Sequence, residues 1–164
     1  MTEPTLHCAF VALGSNLAEP ETQVNQAFAA MAQLPQTRLA AQSSLYRSAP
    51  VGYAEQPDFI NAVAQIETGL TAHDLLQSLL SIERECGRMR DFRNAPRTLD
   101  LDVLLYGDLM FHEPGLTLPH PRMHERAFVL LPLVEIAPEC IIPGKGKAMD
   151  WLARVRDQVI IRVA

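Results

Sequence analysis

The stretch RTLDLDVLLYG, residues Arg97 to Gly107, is the most informative in the chain, because it has the composition of a strand and yet contains two aspartates. Side chains alternate between the two faces of a strand, so Asp100 and Asp102 point to the same side. The apolar residues are expected to divide between the faces, with Leu99, Leu101, Val103 and Leu105 opposite the aspartates and Leu104 and Tyr106 beside them. The segment is therefore predicted to be a strand that is polar on one side of its first half.

The residues before this strand predict two helices and three further strands. A capping box of Thr71 and Asp74 marks the start of the second helix, and Gly87 marks its end. Apolar periodicity predicts strands over residues 7–13, 37–49 and 58–68 and the first helix over residues 20–34. The order β-α-β-β-α-β predicts an α+β, ferredoxin-like fold, in which an antiparallel sheet carries both helices on one face.

Further elements are predicted after the aspartate strand. A hairpin is expected around Gly107 and Asp108. A helix over residues 123–138 is expected to bend or end near Pro132. Residues 149–163 are expected to add a small helix and a last strand.

Composition limits the class of protein. A chain of 164 residues that is 48% hydrophobic and 20% charged is expected to form a single domain over residues 1–164. The net charge of −5 argues against a nucleic-acid binder, because binding to phosphate backbones needs a surplus of Lys and Arg. Since no secretion signal, long apolar run or heptad pattern is seen, we expect a soluble, cytoplasmic monomer without membrane association.

The metal-binding residue types point away from zinc. Cys8, Cys86 and Cys140 are far apart and form no C-x-x-C pair, so they are expected to be buried free thiols. The histidines show no HExxH pattern. Any metal is therefore expected to have oxygen ligands, which favours magnesium.

The two aspartates follow a basic segment. Arg88, Arg90, Arg93 and Arg97 lie within ten positions of an otherwise acidic protein, and guanidinium groups match phosphate oxygens. A polyphosphate bridged by Mg²⁺ would use both sets of residues, because the aspartates would bind the metal and the arginines would bind the phosphates. The alternatives are a solvated loop and a solvated acid pair on an edge strand, but idle carboxylates among leucine and valine would be costly.

Two more polar residues have unusual positions. Glu83 falls near the centre of the apolar stripe of its helix, where it either pairs with a structural arginine or contacts a ligand. His120 lies between two prolines and precedes Arg122 and Arg126 at the start of a predicted helix, which makes phosphate contact plausible.

Six motifs in order resemble those of one enzyme family. They are ALGSNL (12–17), SSLYRSAPVG (43–52), QPDFINAV (56–63), GRMR (87–90), PRTLDLDVLLYG (96–107) and LTLPHPRMHERAFVLLPLVEIAPE (116–139). Together they cover nearly the whole chain and resemble the 6-hydroxymethyl-7,8-dihydropterin pyrophosphokinases of folate biosynthesis. The resemblance implies transfer of the diphosphoryl group of ATP to the hydroxymethyl oxygen of the pterin, with release of AMP, and the ferredoxin-like fold reached above.

The resemblance also implies roles for individual residues. Asp100 and Asp102 would bind two Mg²⁺ ions and, with Arg88 and Arg97, form the catalytic set. The ATP-binding set would be Glu83, Arg88, Arg90, Arg97, Val103, Leu116, Thr117, His120 and Arg126. The pterin would stack between Phe59 and Phe128, with Asn61 and the backbone of Ser48, Ala49 and Val51 at its polar edge. Without the resemblance, core packing would be the preferred interpretation of both phenylalanines.

A different class of function remains open from the residues alone. A ferredoxin-like module could bind a small molecule or RNA without catalysis. RNA recognition on such a sheet uses exposed aromatic residues and a basic surface, whereas the relevant strand here carries carboxylates. The sequence therefore favours an enzyme acting on small molecules.

Overall fold

The computed structural model describes residues 5–16, 19–49, 58–87 and 99–163. Short 3-10 turns occur at Met123–Glu125 and Ala153–Val155. The helices and strands, in chain order, are β1 (His7–Ser15), α1 (Pro20–Ala32), β2 (Thr37–Gln42), β3 (Tyr46–Ser48), β4 (Phe59–Thr68), α2 (Ala72–Gly87), β5 (Leu99–Tyr106), β6 (Phe111–Glu113), β7 (Leu116–Leu118), α3 (Ala127–Ile136), β8 (Ile141–Ile142), β9 (Gly146–Lys147), α4 (Ala148–Leu152) and β10 (Ile160–Arg162).

The main sheet is antiparallel and has the strand order β10-β3-β4-β1-β5, with β2 also paired to β4. The two crossovers, through α1 and α2, produce this order from the predicted β-α-β-β-α-β sequence. The ferredoxin-like α+β fold is thus confirmed. Strand β10, from the end of the chain, extends the sheet beyond the predicted unit.

The single strand predicted over residues 37–49 is wrong in one respect, because it is broken into β2 and β3. At the break the Ser43 backbone N–H donates to the Val63 carbonyl at 2.9 Å, and the Val63 N–H donates to the Ser43 hydroxyl at 2.9 Å. A side chain thus replaces a backbone group in the ladder, which lets the edge strand change course without leaving the Val63 N–H unsatisfied.

Two apolar clusters lie on opposite faces of the sheet. On one face α1 and α2 cover the strands, with Val24, Phe28, Leu75 and Leu79 among the buried residues. Thr71 caps α2, because its hydroxyl accepts from the Asp74 N–H at 3.1 Å, as the sequence predicted. On the other face α3 packs on the sheet and α4 packs against α3, with their buried residues including Leu130, Leu133 and Ala148.

Strand β5 departs from simple alternation. Val11 pairs with Val103 and Phe10 pairs with Leu105, so Leu104 is an extra residue in a β-bulge. Leu99, Leu101 and Val103 face α1 and α2 as predicted, but the bulge reverses the faces that follow it. Leu105 therefore packs on the α3 side, and Tyr106 packs with the α1 and α2 cluster, the opposite of the prediction.

Two predictions for the C-terminal additions are wrong. Gly107 and Asp108 form a turn but no hairpin, and the hairpin is instead made by β6 and β7. The helix begins at Ala127 rather than Met123 and continues through Pro132 to Ile136. Because α3 buries Leu130 and Leu133 against the sheet, this burial outweighs the backbone hydrogen bond that Pro132 cannot donate.

The state expected for the three cysteines is confirmed in part. Cys8, Cys86 and Cys140 are free thiols, although each is half-buried rather than fully buried. Among the residues that the structure describes, no helix has the length and apolar character needed to cross a membrane.

Candidate active site

A cleft of about 660 Å³ lies between the α3-facing side of the sheet and the first turn of α3. Strands β1, β3, β4 and β5 form its floor. Register places Gly14 beside Asn61 on one side and Asp100 on the other. The cleft is lined by Ala12, Leu13, Gly14, Ser48, Ala49, Phe59, Asn61, Asp100, Asp102, Leu104, His120, Arg122, Glu125, Arg126, Phe128, Val129 and Gln158.

Asp100 and Asp102 project from β5 into this cleft, and both are exposed. Their partners in β1 are Gly14, which has no side chain, and Ala12, which has only a methyl group, so neither fills the space beside the carboxylates. A Cβ at Gly14 would lie 3.3 Å from Asn61 Oδ1, so a larger residue here would crowd the cleft floor. Paired, accessible carboxylates are a donor set that fits Mg²⁺, which takes a few carboxylates and completes its octahedron with water and phosphate. Within the described residues no group of three or more His, Cys, Asp or Glu side chains could hold a metal ion by itself, so a bound Mg²⁺ would take its remaining ligands from water and phosphate.

His120 lies beside these carboxylates. Its backbone N–H donates to the Leu104 carbonyl at 2.9 Å, which fixes the segment over the sheet. Burial lowers the pKa of His120, and the charges of Arg126 and Arg122 lower it further against the opposing effect of Asp102. Because Nδ1 accepts from the Arg122 N–H at 3.1 Å, the neutral ring carries its proton on Nε2 and can donate it to an anion.

Arg126 and Phe128 form a pair at the start of α3. The Arg126 guanidinium carbon lies 5.5 Å from the centre of the Phe128 ring, and both side chains are half-buried. Phe59, also half-buried, lines the same cleft from β4. The cleft therefore presents two aromatic rings and a cation within reach of the aspartates.

The polar floor under the rings comes from two strands. Asn61 in β4 donates from Nδ2 to the Ser48 hydroxyl in β3 at 2.7 Å, and both residues are buried. This contact fixes the amide so that its oxygen faces Gly14. A fixed amide in an otherwise apolar wall suits recognition of a flat, polar-edged ring.

Glu83 lies on the other side of β5, at the end of α2. Its carboxylate accepts from the Leu101 N–H at 2.6 Å, so within the described residues its hydrogen-bond partner is a strand backbone group. Arg88, Arg90, Arg93 and Arg97 lie outside those residues. Burial raises the pKa of Glu83 to about 7, and the charges of Asp100 and Asp102 contribute to the increase. Glu83 is half-buried and does not line the cleft.

The structure brings together most of the residues singled out in the sequence. Asp100, Asp102, His120, Arg126, Ser48, Ala49, Phe59, Asn61 and Phe128 all line the cleft. The side chains of Val103 and Leu116 pack instead in the cluster beneath α1 and α2, and the Thr117 hydroxyl contacts His112 Nδ1 at 2.8 Å. Arg88, Arg90, Arg97 and Val51 lie outside the described residues.

No role was predicted from the sequence for several other lining residues, among them Gly14, Glu125 and Gln158. Gly14 belongs to the turn-like triplet Gly14-Ser15-Asn16, which gives it a weak signal. Glu125 and Gln158 carry no local signal, because both reach the cleft only through tertiary structure.

Comparison with known proteins places the chain in a family. The family model for 7,8-dihydro-6-hydroxymethylpterin-pyrophosphokinase (HPPK) matches residues 10–138, which is more than half of the chain. The chain belongs to this family. It is an enzyme of the pyrophosphokinase class, and the resemblance seen in the sequence motifs is confirmed.

Individual relatives agree. The 2-amino-4-hydroxy-6-hydroxymethyldihydropteridine pyrophosphokinase of Pseudomonas aeruginosa is 53% identical over 144 residues, which are 88% of this chain and 89% of that protein. The protein of the same name in Haemophilus influenzae is 44% identical over 155 residues, covering 94% and 97% of the two chains. A Plasmodium falciparum HPPK-DHPS triple mutant crystallised with STZ-DHP superposes with a TM-score of 0.73 at 12% identity, over 94% of this chain and 44% of that one. At that identity the structural likeness shows the fold alone.

Proposed function

We propose that this chain transfers the diphosphoryl group of ATP to the hydroxymethyl oxygen of 6-hydroxymethyl-7,8-dihydropterin, in a Mg²⁺-dependent step of folate biosynthesis that releases AMP. The observation that carries the proposal is the convergence of Asp100 and Asp102 with Phe59 and Phe128 in one cleft. The carboxylates suit a metal-bound polyphosphate, and the rings suit a flat heteroaromatic acceptor.

Asp100 and Asp102 would hold two Mg²⁺ ions, which would neutralise charge on the ATP phosphates. Arg126 and the Nε2–H of His120 bind phosphate oxygens from the α3 side of the cleft. Arg88, Arg90 and Arg97 supply further positive charge to the same phosphates, and Arg88 and Arg97 complete the catalytic set with the aspartates. Glu83, Val103, Leu116 and Thr117 are assigned to the nucleotide on the family resemblance alone, since their side chains do not line the cleft.

The acceptor binds in the same cleft, between β4 and the first turn of α3. Phe59 and Phe128 stack on the pterin, while the Asn61 amide and the backbone of Ser48, Ala49 and Val51 bind its polar edge. Phosphoryl transfer needs mainly alignment and charge neutralisation, so the contribution of the protein is to hold the hydroxymethyl oxygen in line with the β-phosphorus.

The assay incubates the protein with ATP, Mg²⁺ and 6-hydroxymethyl-7,8-dihydropterin and identifies the nucleotide product by chromatography. We expect AMP and the pterin diphosphate in equal amounts, and no product when EDTA replaces Mg²⁺. Formation of ADP would reject the reaction type. Binding of the pterin without any consumption of ATP would indicate a non-catalytic binding module instead.

We further propose that the chain is a single-domain monomer that acts in the cytoplasm. Its partners are the small-molecule substrates, with no nucleic acid and no membrane. Sedimentation analysis with and without the substrates tests the oligomeric state, for which we expect one species of 18.2 kDa.

A further inference from the structure

Gln158 lies between the last 3-10 turn and β10 and reaches the first turn of α3. Its Oε1 accepts from the Ala127 N–H at 2.8 Å, and its Nε2 donates to the Glu125 carbonyl at 2.8 Å. The two hydrogen bonds therefore bracket Arg126. A single amide side chain fixes the backbone on both sides of a residue that lines the cleft.

Among the residues that the structure describes, no other side chain caps the start of α3. Arg126 is the N-cap residue, with an extended backbone at φ −124° and ψ 114°, and its own side chain makes no capping hydrogen bond. The first N–H groups of a helix need an acceptor from outside the helix. For Ala127 that acceptor is supplied by Gln158, 31 residues further along the chain.

The segment that carries Gln158 is itself anchored on both sides. The Gln158 N–H donates to the Val155 carbonyl at 3.1 Å, and Val155 is buried under α3 and α4. After Gln158, β10 pairs with β3 so that Ile160 lies opposite Ser48. One short segment therefore connects the strand that forms the pterin-facing floor to the turn that carries Arg126 and Phe128.

We infer that Gln158 is a positioning residue, which orients Arg126 and Phe128 for phosphate and pterin through the backbone of residues 125–127. Gln158 lies outside residues 10–138, which match the family model. The inference rests on the proposed function, because it assigns the oriented pair to that reaction. A loosened first turn would let the Phe128 ring leave its stacking position while the aspartates and the sheet stay in place.

The test uses two substitutions of the full chain. Gln158→Met keeps the length and approximate volume of the side chain but removes both hydrogen bonds. Gln158→Glu keeps an acceptor for the Ala127 N–H and removes the donor to Glu125. Gln42→Met, at an exposed residue of β2, is the matched control.

We expect Gln158→Met to raise the KM for the pterin about five- to tenfold, the size of effect expected when a hydrogen-bonded orientation is lost, with kcat within about twofold of wild type. Gln158→Glu should lie between wild type and Gln158→Met, and Gln42→Met should match wild type. A residue with only a structural role would lower the amount of active enzyme and leave the KM unchanged. An unchanged pterin KM in folded Gln158→Met protein would overturn the inference.

If Gln158→Met does not fold, hydrogen exchange of the Ala127 amide in the wild-type protein tests the contact with Gln158. We expect this amide to exchange as slowly as amides inside α3, since it has an acceptor. Exchange at the rate of an unprotected amide would overturn the inference. Absence of AMP from the wild-type assay would instead contradict the proposed function, and would leave the exchange result to judge the Gln158 contact.

Discussion

The Glu83 carboxylate of α2 accepts a hydrogen bond from the Leu101 N–H of β5 at 2.6 Å, at the residue between the two aspartates. Strand β5 is at the edge of the sheet in the described part of the chain, so this N–H would otherwise lack a strand partner. Helix α2 thus holds the aspartate strand from outside the cleft, and the charges of Asp100 and Asp102 act on the Glu83 carboxyl group.

The raised pKa of Glu83 predicts a pH-dependent stability in the absence of divalent cations. Because the pKa rises from 4.5 to about 7 on folding, the folded state binds more protons between these values, and stability falls as pH rises through this window. We measure the free energy of unfolding by urea in EDTA at pH 5 and at pH 8. Between these pH values it should fall more for wild type than for Glu83→Gln. Glu85→Gln, at an exposed position of the same helix, should behave as wild type. Equal losses in wild type and Glu83→Gln would contradict the prediction.

Removal of either cleft carboxylate should abolish turnover. Asp100→Asn and Asp102→Asn keep the size of the side chain but remove the charge that Mg²⁺ requires, so we expect AMP formation to fall by at least about a hundredfold. Circular dichroism should remain as in wild type, since both residues are exposed. Asp108→Asn, in the exposed turn after β5, is the control and should retain activity. Turnover by both Asn variants at the wild-type rate would remove the basis for a metal role.

Truncation of the Phe128 ring should weaken pterin binding selectively. Phe128→Leu removes an aromatic face and its contact with Arg126, and we expect roughly a tenfold higher KM for the pterin, as for the loss of one aromatic stacking contact. The KM for ATP should change much less. Steady-state kinetics with each substrate varied in turn provide the measurement. Phe111→Leu, which removes a ring outside the cleft, should leave both KM values unchanged, whereas a similar rise in both variants would point to a general packing effect.

Glu135 at the end of α3 should stabilise the break between β2 and β3. Its carboxylate accepts from the Ser44 N–H at 2.9 Å, the Ser44 hydroxyl at 2.8 Å and the Tyr46 hydroxyl at 2.7 Å. Burial by itself raises the pKa of Glu135, but these hydrogen bonds and the charge of Arg162 outweigh it, so the pKa lies below its usual value. The contribution of the ionised Glu135 carboxylate to the free energy of unfolding is therefore present at neutral pH, and it is lost as pH falls through the lowered pKa.

Glu135→Gln should accordingly lower the free energy of unfolding at pH 7 by about 1 kcal/mol, the net value of a typical hydrogen bond. The difference from wild type should shrink in acid, as measured by urea unfolding from pH 7 down to pH 3. Glu139→Gln, an exposed carboxylate just after α3, provides the comparison. A difference that stays constant with pH would exclude an ionic contribution from Glu135.

Much of the fold follows from local pattern. The apolar periodicity of α1 and α2, the Thr71 cap and the order of strands lead directly to the sheet and its helical face. The β-bulge at Leu104 does not, because strand alternation is a property of one segment and a bulge depends on its register with β1. The course of α3 through Pro132 was likewise decided by burial against the sheet rather than by proline itself.

The residues of the candidate site also differ in whether a local sequence pattern predicts them. Asp100 and Asp102 could be found from two carboxylates at strand spacing, which is a signal within one segment. Phe59 and Phe128 could be found only through family resemblance, because an aromatic residue in an apolar segment usually packs in a core. Gln158 gave no signal, since its partners Ala127 and Glu125 are distant in sequence and its role exists only once the last strand has joined the sheet.

The extra residue at Leu104 has a consequence for protein engineering. The two aspartates and the Tyr106 hydroxyl, which donates to the Leu70 carbonyl at 2.5 Å, serve opposite faces of β5 although their sequence spacing is even. If this strand is grafted into another sheet, the graft must include Leu104 and the neighbouring strand must accommodate the β-bulge. A recipient that lacks the offset would turn either the carboxylates or the phenol to the wrong side.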